Sequence, residues 1–339
     1  MNLPPETETP NASRPTMAGK PVFVRPAKTI LNMDSGFKPK LLCDGPTFST
    51  GDACVYSCLY CYVPDIMRKA AYMPGIVPHA DSVVRRENAL EILERQLTLP
   101  AKGGKRKPKY DNANDTRIVY ASPLVDIAPN GELMRETGEA CILILKLTNW
   151  RIRLLSKSAA LFRLAKYIGD QVGADEVRRR IIFGASAGTL DDKLAASFEL
   201  KTPLVSKRIA DIIRLQDEGY QTFGMICPSL PQRDPKRFSE EMYFALRAWN
   251  MPDVWAEVIN VRGENMTKTV AALRAAGYEW EASALQETAE DPATWEHNSR
   301  ITFESHAAIF PGRLRFLQYV TKANSEYWTS KVPAGAVLL

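Results

Sequence analysis

Three of the six cysteines in this 339-residue chain fall within eight residues, in the segment Gly-Asp-Ala-Cys54-Val-Tyr-Ser-Cys58-Leu-Tyr-Cys61-Tyr. In a chain of this size without a recognisable secretory signal, such clustering indicates metal binding rather than a disulfide framework. A [4Fe-4S] cluster has four ligand positions, so three cysteines leave one iron open to a small molecule. The spacing therefore predicts a metal centre at Cys54, Cys58 and Cys61.

The chain around this segment alternates short apolar runs with longer amphipathic stretches. The internal runs are rich in Ile, Val, Phe and Tyr and are closely bounded by Gly, Pro or Ser, as buried strands are. Strands are predicted at 46–52, 117–122, 151–156, 180–185, 221–227 and 255–261, and helices at 85–99, 137–147, 158–167, 203–219 and 238–249. This alternation predicts an α/β fold of parallel βαβ units with right-handed connections, either as an open sheet or as a barrel.

Three parts are expected along the chain. Residues 1–44 are predicted to be an N-terminal tail and arm, partly disordered, because the start has neither a basic region nor an apolar stretch. Residues 45–265 hold the predicted core. Residues 266–339 form a C-terminal extension, with a predicted helix at 267–276 and a strand-like run at 300–305.

Composition and charge set limits on the protein's partners. The chain is 45% hydrophobic and 24% charged, and its net charge of +5 permits a polyanionic partner without requiring one. No apolar run approaches the roughly 18–20 residues of a membrane span. We therefore expect a cytoplasmic protein with no membrane partner.

The Cys54-x3-Cys58-x2-Cys61 spacing, with Tyr60 inside the last gap and Tyr62 behind it, resembles the radical S-adenosylmethionine (SAM) signature. The segment Cys-Leu-Tyr-Cys-Tyr is similar to the corresponding segment of the spore photoproduct lyase and DNA repair photolyase-like branch. The resemblance covers roughly residues 45–265. It implies a partial (β/α)6 TIM-like barrel with N- and C-terminal extensions and with the cluster at its open C-terminal face.

The resemblance also implies a reaction. SAM would chelate the open iron, and one electron from the reduced cluster would cleave it to a 5′-deoxyadenosyl radical that abstracts hydrogen from an unidentified substrate, with DNA as one candidate. The chemistry requires a low-potential electron donor such as a flavodoxin or ferredoxin. Tyr60 and Tyr62 are expected either to stack on adenine or substrate, or to cover the cluster from water.

Ligands of parallel α/β folds lie at the carboxyl ends of the strands, and these predicted ends are polar. By resemblance, Ser122, Lys157 and Ser186 match the SAM contacts of the photoproduct lyase pattern, with ordinary polar strand ends as the alternative. The stretch from Glu199 to Arg208 resembles the superfamily's Glu-x-x-Thr-Pro…Arg segment. We expect Glu199 and Arg208 to form an ion pair.

One departure from that pattern concerns the thiol. Photoproduct lyases carry a hydrogen-donating cysteine soon after the second strand, where this chain has no cysteine up to Asp126. Cys141 lies in an apolar helix and is predicted to be a small core residue. Cys227, at a predicted strand end, is the candidate catalytic thiol, with core packing as the alternative. The three histidines form no ligand motif and are predicted to be structural or on the surface: His79, His297 and His306.

A rival interpretation is a non-catalytic nucleic-acid-binding protein with a structural zinc or iron–sulfur site. It would need a fourth ligand, for which Cys43 is the upstream candidate. Nucleic-acid contact would rest on the basic loop 101–109 and on the arginines 178–180. The alternative interpretations are that the basic loop is simply solvated and that the three arginines lie at the end of a helix. Either way, a nucleic acid remains a candidate substrate of the enzyme.

Overall fold

The computed structural model describes residues 16–17, 19–63, 82–100, 109–261 and 264–339. Its strands, numbered along the chain, are β1 (Thr16–Met17), β2 (Lys20–Arg25), β3 (Leu31–Asn32), β4 (Thr47–Phe48), β5 (Gly51–Ala53), β6 (Val83–Arg86), β7 (Ile118–Ala121), β8 (Arg151–Ser156), β9 (Ile181–Ser186), β10 (Gln221–Ser229), β11 (Val254–Val258), β12 (Leu314–Gln318) and β13 (Ala336–Leu338). Its helices are α1 (Ala89–Thr98), α2 (Gly131–Leu147), α3 (Leu161–Val172), α4 (Ala174–Arg180), α5 (Asp192–Phe198), α6 (Val205–Asp217), α7 (Pro235–Ala245), α8 (Glu264–Ala275), α9 (Glu279–Glu290), α10 (Pro292–Ile309) and α11 (Ser325–Lys331).

The large sheet has nine strands in the order β13-β12-β11-β10-β9-β8-β7-β4-β3. Every neighbouring pair is parallel except β3 with β4, which is antiparallel. Six of these strands, β4 and β7 to β11, lie at the six predicted positions, and β12 and β13 extend the sheet. From β4 to β13 the order in space follows the order along the chain, so the sheet winds in one direction. The predicted α/β class with a parallel sheet is confirmed.

The two faces of the large sheet are covered differently because successive strand residues point to opposite sides. On one face, side chains such as Phe183 and Val254 pack with residues of the surrounding helices. On the other, Ile182 and Trp255 belong to a cluster that contains no helical residue among those the structure describes, and Leu42 from the N-terminal arm packs there instead. We call this second side the inner face.

Most predicted helices are confirmed, and two local predictions were wrong. The helix predicted at 85–99 begins only at Ala89, because residues 83–86 form β6 and Asn88 has a left-handed φ of 51°. The strand-like run at 300–305 lies inside α10, whose buried Thr302, Phe303 and His306 follow helical spacing. No helix in the described ranges is long and apolar enough to cross a membrane.

A smaller sheet, in the order β1-β2-β6-β5, leads into the cysteine segment. Its strands β2 and β6 are parallel, although they are far apart in the sequence. They are held to β5 by the fully buried carboxylate of Asp52, which lies 2.5 Å from Arg25 Nε and 2.7 Å from an Arg86 guanidinium nitrogen. Charge-assisted hydrogen bonds of this kind fix geometry well. The start of the cysteine loop is therefore anchored to the N-terminal arm.

Candidate active site

The loop with the three cysteines begins directly after β5 and is held through its backbone oxygens. Lys20 on β2 is 4% exposed, and its Nζ donates to the carbonyl oxygens of Cys54 at 3.3 Å and Tyr56 at 3.2 Å. On the other side, Asn265 Nδ2 in α8 donates to the carbonyl oxygen of Cys61 at 2.5 Å. Because these contacts use carbonyl groups, neither Lys20 nor Asn265 occupies a loop thiol.

The middle of the loop is attached to the end of α5. Leu59 donates its N–H to the carbonyl of Phe198 at 2.9 Å, and Cys58 pairs with Glu199 as an isolated antiparallel bridge. Tyr60 donates its hydroxyl hydrogen to the Glu199 carboxylate. The segment that carries the cysteines and the segment that carries Glu199 therefore form one unit.

All three loop thiols are free. Burial, followed by the nearby Asp126 carboxylate, raises the pKa of Cys54 to about 12. Burial also raises the pKa of Cys58 and of Cys61, while the Lys157 ammonium acts in the opposite direction on both. Within the described residues, no three His, Cys, Asp or Glu side chains are arranged to hold one metal ion. In a [4Fe-4S] cluster the thiolates instead bind different irons, and three free thiols on one anchored loop fit three of its four ligand positions.

The carboxyl ends of β8, β9 and β10 bring several predicted site residues together. Lys157 Nζ lies 2.5 Å from Ser186 Oγ, 3.5 Å from the carbonyl oxygen of Cys227 and 3.6 Å from Glu199 Oε1. The same ammonium lies 5.6 Å from the centre of the Tyr60 ring, within cation–π range. Ser186 Oγ in turn donates to the Cys227 carbonyl at 2.7 Å. The strand-end residues therefore adjoin the cysteine loop through Tyr60 and Glu199.

Asp126 is a site residue that the sequence did not single out. Its carboxylate accepts hydrogen bonds from Ser156 Oγ at 2.6 Å, the Lys157 N–H at 2.7 Å and the Ala128 N–H at 3.0 Å. Burial raises the pKa of Asp126, against the lowering effect of those three donors. The carboxylate fixes the backbone at the end of β8, and so fixes the direction in which Lys157 leaves the strand. The sequence signal that could have identified Asp126 is a single acidic residue shortly after the second predicted strand.

The predicted ion pair between Glu199 and Arg208 is confirmed. Arg208 is 1% exposed and also donates to the carbonyl oxygen of Ser186 at 3.1 Å. Burial acts to raise the pKa of Glu199, but Lys157 and then Arg208 outweigh it and hold that pKa below its usual value. Glu199 is therefore a buried carboxylate shared by two cations and by the Tyr60 hydroxyl.

Ser122 and Tyr62 lie on the β7 side of the same site. Ser122 ends the strand with a left-handed φ of 48° and donates its N–H to the carbonyl of Phe48 at 2.6 Å. Tyr62, which is 36% exposed, donates its hydroxyl hydrogen at 3.2 Å to the carbonyl of Pro123, the residue after Ser122. A non-glycine residue in this conformation is strained, and such strain gathers at functional sites.

Cys227, the candidate catalytic thiol, lies on the inner face. Its Sγ is 3.6 Å from Glu257 Oε2, and the other oxygen of that carboxylate accepts from Asn260 Nδ2 at 2.6 Å. Burial, then the Glu257 charge, raises the pKa of Cys227. The side chain is only partly buried. Cys227 therefore borders the inner face beside Lys157 and Ser186, and sequence reasoning missed its partner Glu257.

The remaining cysteines and histidines lie elsewhere. Cys141 is fully buried in α2, as predicted. Cys43 is buried in the inner-face cluster with its Sγ 3.5 Å from Ser35 Oγ, and the structure does not gather it with the loop cysteines into a single-ion site. His306 is buried against Ser239 Oγ and is structural, as predicted, whereas His79 lies outside the described residues.

The two basic segments differ in what the structure describes. Residues 101–108 of the basic loop lie outside the described residues, and Lys109 lies over the Tyr110 ring. Of the other segment, Arg178 and Arg179 pair with acids on their own helix. Arg180 is buried and donates to the carbonyl oxygen of Leu145 in the last turn of α2 and to those of Thr148 and Trp150 just after it. The prediction that these three arginines end a helix is confirmed.

Comparison with known proteins bears on the fold. No protein-family model matches the chain. The uncharacterized protein ORF301 of Acidianus two-tailed virus is 21% identical over 256 residues, which cover 73% of this chain and 77% of that protein. A cysteine-to-serine mutant of spore photoproduct lyase superposes with a TM-score of 0.58 at 14% identity, covering 88% of this chain and 83% of that one. The fold is that of spore photoproduct lyase, a radical SAM enzyme.

Two further structures of spore photoproduct lyase extend the likeness. The enzyme complexed with dinucleoside spore photoproduct has a TM-score of 0.58 at 12% identity and covers 92% of this chain and 88% of that one. A double mutant with bound AdoMet (SAM) and dinucleoside spore photoproduct has a TM-score of 0.50 at 15% identity, covering 80% and 75%. The resemblance drawn from the cysteine segment to spore photoproduct lyase is therefore confirmed as a likeness of fold across most of the chain.

Proposed function

We propose that this chain is a radical SAM enzyme that binds a [4Fe-4S] cluster at Cys54, Cys58 and Cys61. One observation carries the proposal. Glu199 pairs with Cys58 along the backbone and accepts the Tyr60 hydroxyl, and its carboxylate lies 3.6 Å from Lys157 Nζ. The thiol loop and the polar strand ends therefore adjoin each other, as an enzyme that combines a cluster with a zwitterionic cosubstrate requires.

A reduced [4Fe-4S] cluster held by these thiolates would supply the one electron that cleaves SAM into methionine and a 5′-deoxyadenosyl radical, and that radical would abstract hydrogen from the substrate. The chain's own residues would hold the cluster and orient SAM. The anchored loop supplies three thiolates. Lys20 and Asn265 keep the loop in place through its carbonyls. Partial burial of the three cysteines would limit the access of water to them.

SAM carries a carboxylate, an amino group, a ribose and an adenine, and the site offers a partner for several of them. The Lys157 ammonium, fixed from behind by Asp126, would bind the carboxylate. Ser186 at the end of β9 would contact the ribose, with Ser122 as a further SAM contact on the β7 side. Tyr60 would support the adenine or shield the cluster, and Tyr62 is assigned the same pair of roles.

The proposal also includes a barrel architecture, a catalytic thiol, an electron donor and a candidate substrate. Two features support a partial (β/α)6 barrel whose lumen is the inner face. The sheet winds in one direction, and among the described residues the inner-face cluster holds no helical side chain, whereas helices pack on the other face. Cys227 on that face is the proposed catalytic thiol. A low-potential donor, a flavodoxin or ferredoxin, would reduce the cluster. DNA remains a candidate substrate.

The test is SAM cleavage. The protein is reconstituted anaerobically with iron and sulfide, reduced with dithionite and given SAM, and 5′-deoxyadenosine is measured by chromatography. We expect product from the wild type, none from Cys58→Ala, and product again from Cys141→Ala, which removes a thiol distant from the loop. A protein that holds one zinc ion and never cleaves SAM would replace this proposal with the rival binding module.

A further inference from the structure

Three aromatic side chains form an exposed group on the outside of the fold, at the end of α7. Phe244 is 67% exposed and Trp249 is 45% exposed, and the centres of their rings lie 6.2 Å apart. The ring centre of Tyr243 lies 5.7 Å from each of them and 5.5 Å from that of the buried Phe310. We call Tyr243, Phe244 and Trp249 the aromatic patch. Its base is attached to the core, while its two outer rings face solvent.

The backbone that presents Trp249 is ordered on both sides. Leu246 and Ala248 are at most 1% exposed, and Arg247 between them has a left-handed φ of 48°. The N–H of Met251 donates to the carbonyl oxygen of Ala248 at 3.0 Å, which closes the turn. Because this segment is already fixed, contact with its outer ring would cost a partner little conformational entropy.

Charged residues beside the aromatic patch form a polar rim with equal numbers of each sign. Glu240 and Glu241 lie four and three positions before Phe244 and therefore share its side of α7. The rim consists of three ion pairs with N–O distances of 4.0, 2.8 and 2.6 Å, which are Lys236 with Glu240, Arg237 with Glu241 and Arg247 with Asp217. An exposed apolar group with a polar rim is typical of a protein–protein interface.

The aromatic patch lies at the opposite edge of the large sheet from the candidate active site. The segment after α7 leads to Val254 at the amino end of β11, whereas Lys157 and Ser186 lie at the carboxyl ends of β8 and β9. A substrate or an electron donor has to approach the cysteine loop. An occupant of the aromatic patch is therefore neither of these.

The balanced charge of the polar rim selects among the other occupants. A nucleic acid requires a face with net positive charge, and an acidic protein does so for the same reason. Three acids and three bases leave this rim without net charge. A second copy of the chain brings an identical balanced rim, so that cations of each copy can meet acids of the other. The rim therefore favours a second copy.

We propose that the chain forms a symmetric dimer in which the aromatic patches of two copies meet about a two-fold axis near Phe244. In such a contact the same surface of each copy is buried, and a residue on the axis meets its own copy. A standard interface buries about 800 Å² on each partner. The exposed parts of Phe244 and Trp249 would supply roughly 200 Å² of that area as its aromatic centre, and the polar rim would surround them. This inference is independent of the proposed function.

Sedimentation velocity of the full chain tests the dimer. Runs between about 1 and 100 µM should show the wild type shifting from monomer to dimer as its concentration rises. Phe244→Arg and Phe244→Glu should each weaken the dimer at least about 30-fold, because they replace a central aromatic ring by a charge that faces its own copy. A wild type that is monomeric throughout this range, or variants that dimerise as the wild type does, would overturn the proposal.

Mixing the two charge variants tests the symmetry of the contact. An equimolar mixture of Phe244→Arg and Phe244→Glu should dimerise again, because opposite charges then face each other across the axis. Leu99→Arg and Leu99→Glu are the matched controls, since Leu99 is an apolar residue that is 50% exposed outside the aromatic patch, and each should dimerise as the wild type does. Circular dichroism verifies that every variant is folded. A mixture of folded Phe244 variants that stays monomeric would contradict a two-fold contact at Phe244.

Discussion

The Nζ of Lys157 lies 2.5 Å from Ser186 Oγ, which joins the carboxyl ends of two neighbouring parallel strands, β8 and β9. The backbone N–H of Lys157 donates to Asp126 at 2.7 Å, and its ammonium lies 3.6 Å from Glu199 Oε1. A cation positioned in this way can exchange a hydroxyl contact for the carboxylate of a ligand with little rearrangement. Pre-positioning of this kind lowers the entropic cost of binding.

Replacing Lys157 should therefore weaken SAM binding more than it weakens the fold. We expect Lys157→Met to lower SAM affinity at least about 10-fold, because it removes a charge-assisted hydrogen bond to the SAM carboxylate. Equilibrium dialysis of the reconstituted protein against labelled SAM measures the effect. Lys166→Met, at an exposed position of α3, is the control and should bind SAM as the wild type does. Equal affinities for the two variants would contradict the assignment of Lys157.

The buried pair of Glu199 and Arg208 should contribute to stability through the penalty for breaking it. Both side chains are at most 3% exposed, so Arg208→Met deprives the buried Glu199 carboxylate of one of its two cations beside the cysteine loop. We expect the free energy of unfolding, measured by urea titration, to fall by about 3–5 kcal/mol. Lys236→Met breaks an exposed pair on α7 and should change it by less than about 1 kcal/mol. A loss as small as that of the control would argue against a structural role for the buried pair.

The sequence predicted those parts of the site whose signals are local. The cysteine spacing, the polar ends of β8 and β9, and the ion pair between Glu199 and Arg208 all lie within short stretches bounded by strong apolar periodicity. Their positions at the carboxyl edge then follow from the parallel sheet itself. The parallel order of the strands was predictable from the alternation of strands and helices.

Residues brought in from a distance were not predictable. Lys20 reaches the carbonyl of Cys54 across 34 positions, and the Lys40 carbonyl meets Trp255 across 215. A lysine in an arm resembles any solvated lysine until the tertiary contacts are known. The wrong strand at 300–305 has a related cause, since tertiary packing of α10 overrides the β propensity of Ile301, Thr302 and Phe303.

Gly188 should be intolerant of any side chain, because a Cβ there would lie 1.9 Å from the carbonyl oxygen of Pro228. Gly188→Ala must separate the segment after β9 from the segment after Cys227. This movement would also disturb the hydrogen bond from Ser186 to the Cys227 carbonyl. We expect a loss of about 3 kcal/mol in the free energy of unfolding and a weaker affinity for SAM. Urea titration and equilibrium dialysis measure the two effects.

Gly131→Ala provides the matched control for the Gly188 substitution. Gly131 is the first residue of α2, and a Cβ there meets no atom within 4 Å. Alanine at that position should leave SAM affinity unchanged and stabilise the protein by at most about 1 kcal/mol through its higher helix propensity. If Gly188→Ala behaves in the same way, the close approach to Pro228 is not a constraint on the site.

His306 should make the protein less stable as the pH falls. Burial without a compensating charge lowers its pKa to about 3, well below the value of about 6.5 in an unfolded chain. Between these two values the unfolded chain binds a proton that the folded chain does not, so acidification favours unfolding. This residue alone should lower the free energy of unfolding by up to about 1.4 kcal/mol per pH unit between pH 6 and 4, and should contribute nothing above pH 7.

Urea titrations at several pH values measure this slope. In His306→Gln the slope between pH 6 and 4 should be shallower by that amount, even if the variant is less stable throughout because it loses the 2.8 Å contact of the ring with Ser239 Oγ. His297→Gln removes an exposed imidazole from the same helix and should reproduce the wild-type slope. Parallel pH profiles for the wild type and His306→Gln would show that His306 takes up its proton in the folded state, contrary to a buried neutral imidazole.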